Sequence, residues 1–178
     1  MNFRYEIRLS GAGGQGLILI GKIIAEAAAI YDGKNATQSQ SYGPEARGGA
    51  SRSEVIIADG DIDYPKATDI DLLLAMTQEA ADKYSSDVKS GGVIVVDSGF
   101  VEKIPQGDFT VHAHPITRIA EEQIGKTIVA NLVALGVMHK LSDIISEDAV
   151  INAIRARVPK GTEDMNIRAF KLGQERVV

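Results

Sequence analysis

Polar and apolar residues alternate over Tyr5-Glu6-Ile7-Arg8-Leu9, the period of a strand with one buried face. Seven small or polar residues follow, Ser10-Gly11-Ala12-Gly13-Gly14-Gln15-Gly16. From Leu17 to Ala29 the chain is then apolar at helical spacing, with Ile18, Ile20, Ile23 and Ile24 among small alanines. That pattern predicts a helix over Leu17 to Tyr31 packed closely on a sheet, ended by Asp32-Gly33-Lys34 with Gly33 as its cap. Asn35 to Ser41 reads as a polar strand near an edge, Tyr42 to Gly49 as a loop, and Ser51 to Ile57 as a strand again. Asp59-Gly60-Asp61 is a turn. The run Leu72-Leu73-Leu74-Ala75-Met76 has the continuous apolar character of a buried parallel strand. Thr77 then caps a helix over Gln78 to Tyr84. Gly91-Gly92 precedes the strand Val93 to Asp97, and Phe109 to Ala113 makes another short strand.

The last third is helical: Ile116 to Ile124, ended by Gly125; Thr127 to Leu141, apolar nearly all round apart from Asn131; Glu147 to Val158, capped by Ser146; and Met165 to Arg176. Strands alternating with helices imply an α/β fold, with a mostly parallel central sheet flanked by helices and a helical C-terminal third. No repeat, linker or composition break divides residues 1–178, so one domain is expected.

Composition narrows the function classes. Apolar residues are 44% of the chain and the formal net charge is -5, without a long basic run, which argues against nucleic acid as a partner. Aromatic residues are sparse at 5%, which argues against a stacking platform for single strands. Cysteine is absent, so the chain offers no thiolate to an iron–sulfur cluster and no thiol nucleophile. Only three histidines are present, in no catalytic arrangement. No apolar stretch of transmembrane length lacks polar interruption, and the opening reads directly as a strand, so no signal peptide is expected. A cytoplasmic protein away from the membrane is the expectation.

The chemistry-bearing stretches are two. Gly11, Gly13, Gly14, Gln15 and Gly16 lie in a strand–turn–helix, where backbone N–H groups and the helix dipole favour an anion. The spacing Gly11-x-Gly13-x-x-Gly16 satisfies a dinucleotide fingerprint, which also asks for an acid about 20 residues on, at the end of the second strand. Here that strand ends in Ser41-Tyr42-Gly43-Pro44, which counts against a nicotinamide site. The second stretch runs from Gln40 to Ser51. Tyr42 can stack or hydrogen-bond, Glu45 and Arg47 bring charge, and Gly48 and Gly49 permit close backbone approach. In a parallel sheet it would leave the second strand beside the first glycine loop, where α/β sheets bind ligands. A rigid surface loop with an Arg47–Glu45 pair is the alternative. Asp97 is expected to act as a capping acid and Asn131 as a structural brace.

Together these stretches resemble the gamma subunit of 2-oxoacid:ferredoxin oxidoreductases. Asp71 to Met76, Gly91-Gly92 with Val93 to Ser98, Asn131 to Gly136, Asn166, Ala169-Phe170 and Gly173 extend the resemblance over nearly the whole chain, and the 2-oxoglutarate type is the most similar. The resemblance implies a subunit inactive alone, in an enzyme that converts a 2-oxoacid and coenzyme A (CoA) to an acyl-CoA and reduces ferredoxin. Thiamine diphosphate, magnesium and iron–sulfur clusters would belong to alpha, beta and ferredoxin-like delta partners. Gly11–Gly16 and Tyr42–Gly49 would face the CoA phosphates or those partners. A stand-alone NAD(P)-binding oxidoreductase and a purely structural subunit are the alternatives.

Overall fold

The computed structural model describes residues 3–41 and 50–178. Its strands are β1 (Arg4–Gly11), β2 (Asn35–Ser41), β3 (Ser51–Ala58), β4 (Ile70–Ala75), β5 (Val88–Asp97) and β6 (Phe109–His114). They form one sheet in the order β2-β3-β1-β4-β5-β6. β1, β4, β5 and β6 pair in parallel, whereas β3 pairs antiparallel with both β1 and β2. The mostly parallel sheet is as expected; the antiparallel β3 is not. β2 and β3 pair antiparallel because too few residues separate Ser41 from Ser51 for the crossover a parallel pair needs.

The helices are α1 (Leu17–Glu26), α2 (Gln78–Tyr84), α3 (Ile116–Ile124), α4 (Ala130–Ser142), α5 (Glu147–Arg157) and α6 (Glu163–Gln174). Alternation along each strand divides them between two faces. Leu9, Leu72, Leu74 and Val95 share a core with α1, α3, α4, α5 and α6. Leu73, Ala75, Ile94 and Val96 point the other way, onto Ala80, Ala81 and Tyr84 of α2. α4 is buried from Ala130 through Met138, which is why its sequence is apolar on every side. It crosses α6 at Gly136 and Gly173, where a Cβ on either residue would fall 1.9–2.0 Å from a backbone carbonyl of the other helix.

Several predicted boundaries differ, among them the start of α4, which is Ala130 and not Thr127. The first helix stops at Glu26, and Ala27–Tyr31 continues as a wider turn in which the Asp32 N–H reaches the Ala27 carbonyl. β5 begins at Val88 and runs through Gly91 and Gly92: positive φ at Gly91 and a register shift against β4 let the strand bend without ending. α6 starts at Glu163, two residues early, with the Glu163 carboxylate accepting the Gly161 N–H.

Candidate functional site

The carboxyl edge of the sheet gathers the chemistry. β1 leads into α1 on one face, and its neighbour β4 leads into α2 on the other. The chain therefore parts between two adjacent parallel strands, the crevice where α/β sheets place ligands. The glycine loop fills the β1 side of it. Met76, just beyond β4, donates its N–H to the Ser10 carbonyl at 2.9 Å and ties the two strand ends together.

Within the loop, Gly14 (φ 85°) and Gly16 (φ 72°) take the left-handed conformation, which costs other residues strain. Gln15 folds back so that its Oε1 accepts the Ala12 N–H at 2.8 Å. That bond uses one of the loop's donors internally. Gly11 lies under it: a Cβ there would meet Gln15 Oε1 at 2.2 Å and Met76 at 2.9 Å. Gly13 and Gly14 face open space. Gly16 begins α1 with no side-chain cap and no acid in the first turn, so no side chain there offsets the positive end of the helix dipole. Asn131 braces the loop from behind, its Nδ2 donating to the Gly16 carbonyl at 3.1 Å and its Oδ1 accepting from Leu132. Asp97 caps, as expected: buried at the end of β5, its carboxylate accepts from the Gly99 N–H, the Thr117 N–H and the Thr117 hydroxyl.

Beside the loop, Gly14, Gln15, Met76, Phe100, Thr117 and Ile128 line a cleft of about 380 Å³. Sequence reasoning missed Phe100, Thr117 and Ile128 because they come from the connection after β5, the first turn of α3 and the connection after α3, with no motif of their own. Only the sheet order brings them to Gly14.

Tyr42, Glu45, Arg47, Gly48 and Gly49 lie outside the described residues. The strand ends flanking them are described. Gly11 pairs with Ser51, and Ser41 with Arg52. Ser10 Oγ donates to the Ser51 carbonyl at 2.9 Å, and Ser51 Oγ to the Gly11 carbonyl at 3.2 Å. Both stretches thus start from one edge of the sheet. It is β3, however, and not β2, that lies beside β1.

A charged network around the buried Glu6, Arg8 and Glu54 lies beneath this edge on the α2 face. Arg8 pairs with Asp87, sits 3.3 Å from Glu54 and stacks over the Tyr84 ring. Glu54 also holds Arg52 at 3.0 Å and accepts the Ala67 N–H. Glu6 accepts from the Thr68 and Asp69 N–H groups and from Arg4. These bonds clamp residues 64–69 to the sheet and floor a groove of about 510 Å³ that Arg8, Arg52 and Glu54 line. The signal was present in the sequence: Arg4, Glu6 and Arg8 recur at period two on one strand face. On the opposite face, His112 and His114 of β6 stack with ring centres 6.4 Å apart. Burial, then His112 and Arg176, lower the His114 pKa below its ordinary value. Among the described residues no group of three or more histidines and carboxylates gathers to hold a metal, and no helix is long and apolar enough to cross a membrane.

Comparison with known proteins agrees with this architecture. The "2-oxoglutarate synthase subunit KorC" of Methanocaldococcus jannaschii is 52% identical over 177 residues, covering 98% of this chain and 95% of the relative. The crystal structure of the gamma subunit of a keto/oxoacid ferredoxin oxidoreductase from Geobacter sulfurreducens superposes with TM-score 0.90 at 56% identity, covering 97% and 95%. The Magnetococcus marinus 2-oxoglutarate:ferredoxin oxidoreductase, solved with 2-oxoglutarate, coenzyme A and succinyl-CoA bound, shares the fold with TM-score 0.85 at 23% identity. It covers 97% of this chain but 30% of the longer one. The family model for pyruvate ferredoxin/flavodoxin oxidoreductase matches residues 6–176. The chain belongs to the pyruvate ferredoxin/flavodoxin oxidoreductase family.

Proposed function

We propose that the chain is the gamma subunit of a 2-oxoglutarate:ferredoxin oxidoreductase. The full-length identity to the M. jannaschii KorC subunit carries this reading. In the reaction the 2-oxoacid loses its carboxylate as carbon dioxide, its acyl carbon passes to the CoA thiol, and the electron pair released goes to ferredoxin. Thiamine diphosphate with magnesium would stabilise the carbanion, and iron–sulfur clusters would carry the electrons. A chain without cysteine has no thiolates for such clusters, so these groups are assigned to alpha, beta and ferredoxin-like delta companions. The contribution of this chain is a wall: the Gly11–Gly16 loop, at an uncapped helix start, and the Tyr42–Gly49 stretch, which follows the strand end at Ser41. We assign that wall to the CoA side of the shared active site, with Arg47 as the phosphate-pairing residue.

The test is a complex reassembled from separately purified subunits. Omitting this chain should abolish acceptor reduction that depends on 2-oxoglutarate and CoA. Arg47→Ala should raise the KM for CoA by the equivalent of about 1.5–3 kcal/mol, the value of a hydrogen bond to a charged group. Unchanged CoA dependence together with unchanged assembly would remove the role given to Arg47.

A further inference from the structure

We infer that the groove over β1, β3 and β2 binds a phosphate group, through Arg52 and Lys66 above the buried Arg8. The inference stands independently of the subunit reading above. Strand register sets the floor. Arg8 of β1, Glu54 of β3 and Ser39 of β2 face one another in a single row, and Arg52 follows in the next row on the same face of β3. The other face of these strands carries Ile7, Leu9, Val55 and Ile57 into the core shared with α1. On the polar face, Lys66 and Thr68 wall a groove of about 510 Å³, a volume in the range of small-ligand sites.

The ligand class follows from counting donors and acceptors. Among the described residues Glu54 is the one carboxylate that lines the groove, and both its oxygens are engaged. Its Oε1 lies 3.0 Å from Arg52 and 3.3 Å from Arg8, and its Oε2 accepts the Ala67 N–H. The donors are not used up. Arg52 spends its Nε on Glu54, which leaves its two terminal nitrogens without a partner among the described residues. Lys66 is exposed and forms no ion pair among them. Thr68 gives its N–H to Glu6 and keeps its hydroxyl free. Beneath them Arg8 is 4% exposed, and its Nε has no hydrogen-bond partner, whereas buried polar atoms ordinarily have one. Nearby acids do not reverse this balance. Asp87 is paired with Arg8, Glu6 with Arg4 and Asp71 with Lys89. Asp69 lines the neighbouring depression with Lys89, and none of Asp59, Asp61 and Asp63 lines the groove. The Arg8 and Arg52 guanidinium groups lie 5.0 and 5.8 Å from the centre of the Tyr84 ring, which holds both in place. A planar carboxylate offers two oxygens. A phosphate presents more, in tetrahedral directions, and can take the Arg52 fork, the Lys66 ammonium and the Thr68 hydroxyl together.

Calorimetric titration of the full chain with inorganic phosphate tests this. Saturable binding is expected. Arg52→Gln and Lys66→Gln should each weaken it by about tenfold or more, the loss of one charge-assisted contact. Arg52→Gln strands Glu54 and can disturb the fold; Lys66 is exposed, so Lys66→Gln should leave thermal unfolding unchanged and decides the question by itself. Lys22→Gln, at an exposed lysine of α1 across the sheet, should bind like the wild type. Acetate should compete for the groove at least about tenfold less well than phosphate. Titration with CoA identifies the carrier of the phosphate. Binding tighter than that of inorganic phosphate, and weakened by the same variants, gives the groove to the phosphates of the coenzyme; any other result gives it to free phosphate or another ester. Absence of saturable phosphate binding overturns the inference. So does undiminished binding in Lys66→Gln, or acetate competing as well as phosphate.

Discussion

Substituting alanine along the glycine loop should separate backbone strain from steric contact. At Gly13 no left-handed conformation is required and no atom lies within 4 Å of an added Cβ. Gly13→Ala should therefore be neutral, or stabilising by about 0.4–1 kcal/mol through the unfolded chain. Gly14 also faces open space but has φ 85°, so Gly14→Ala should cost only the left-handed penalty, about 1–2 kcal/mol. Gly16 has φ 72° and Asn131 Nδ2 stands 2.4 Å from its would-be Cβ. Gly16→Ala should bear that penalty and also displace Asn131 from the Gly16 carbonyl, a bond worth a further 0.5–1.5 kcal/mol or so. Urea unfolding followed by circular dichroism reads all three. In an Asn131→Ala background the contact is gone, and Gly16→Ala should fall back to the Gly14→Ala value, a coupling of about 1 kcal/mol. Equal costs at Gly13 and Gly16, or an undiminished cost at Gly16 without Asn131, would refute this account of the loop.

Other outcomes follow from the same structure. Gly173→Ala should destabilise by about 1–3 kcal/mol or more, because its Cβ would meet the Val133 carbonyl at 2.0 Å and neither helix backbone can yield alone; thermal unfolding measures it. Asp97→Ala removes a buried carboxylate that holds three donors and should cost about 2–4 kcal/mol, while Asp97→Asn, which keeps one acceptor, should cost less. The His114 imidazole should titrate below its ordinary 6.5 in the folded chain, observed by NMR. A depressed histidine pKa means that the unfolded chain binds the proton first. Its share of stability is therefore present above about 6.5 and lost as pH falls from there toward the folded value, and His114→Gln should flatten that loss.

Much of the fold was legible because local patterns and tertiary packing agree. β2, α2 and α3 begin and end at the predicted residues, since their turn glycines, caps and apolar periods all act over a few residues. Asp97 and Asn131 were readable as structural groups, because a polar residue in an apolar run needs partners and its neighbours supply them. The direction of β3 is not carried by its own residues: Ser51 to Ala58 could pair with a strand running either way, and the signal lies instead in the gap between Ser41 and Ser51, too short for the crossover a parallel pair needs. The continuation of β5 through Gly91 and Gly92 was hidden for a related reason. Two glycines mark a break locally, but bonding to β4 and β6 from both sides keeps the strand intact.

The sequence by itself determined an α/β chain with a glycine turn between its first strand and first helix, a second polar loop, and the family that carries both. These depend on residue type and short-range spacing. The tertiary structure decided which residues stand around that turn. Phe100, Thr117, Ile128 and Asn131 lie between about 80 and 120 positions from Gly14 along the chain, and no periodicity links them to it. They meet it because β4 and β5 stack beside β1 and because α3 and α4 return across one face of the sheet. Pairing and burial act over distances in space, so that neighbourhood exists only once the chain has folded.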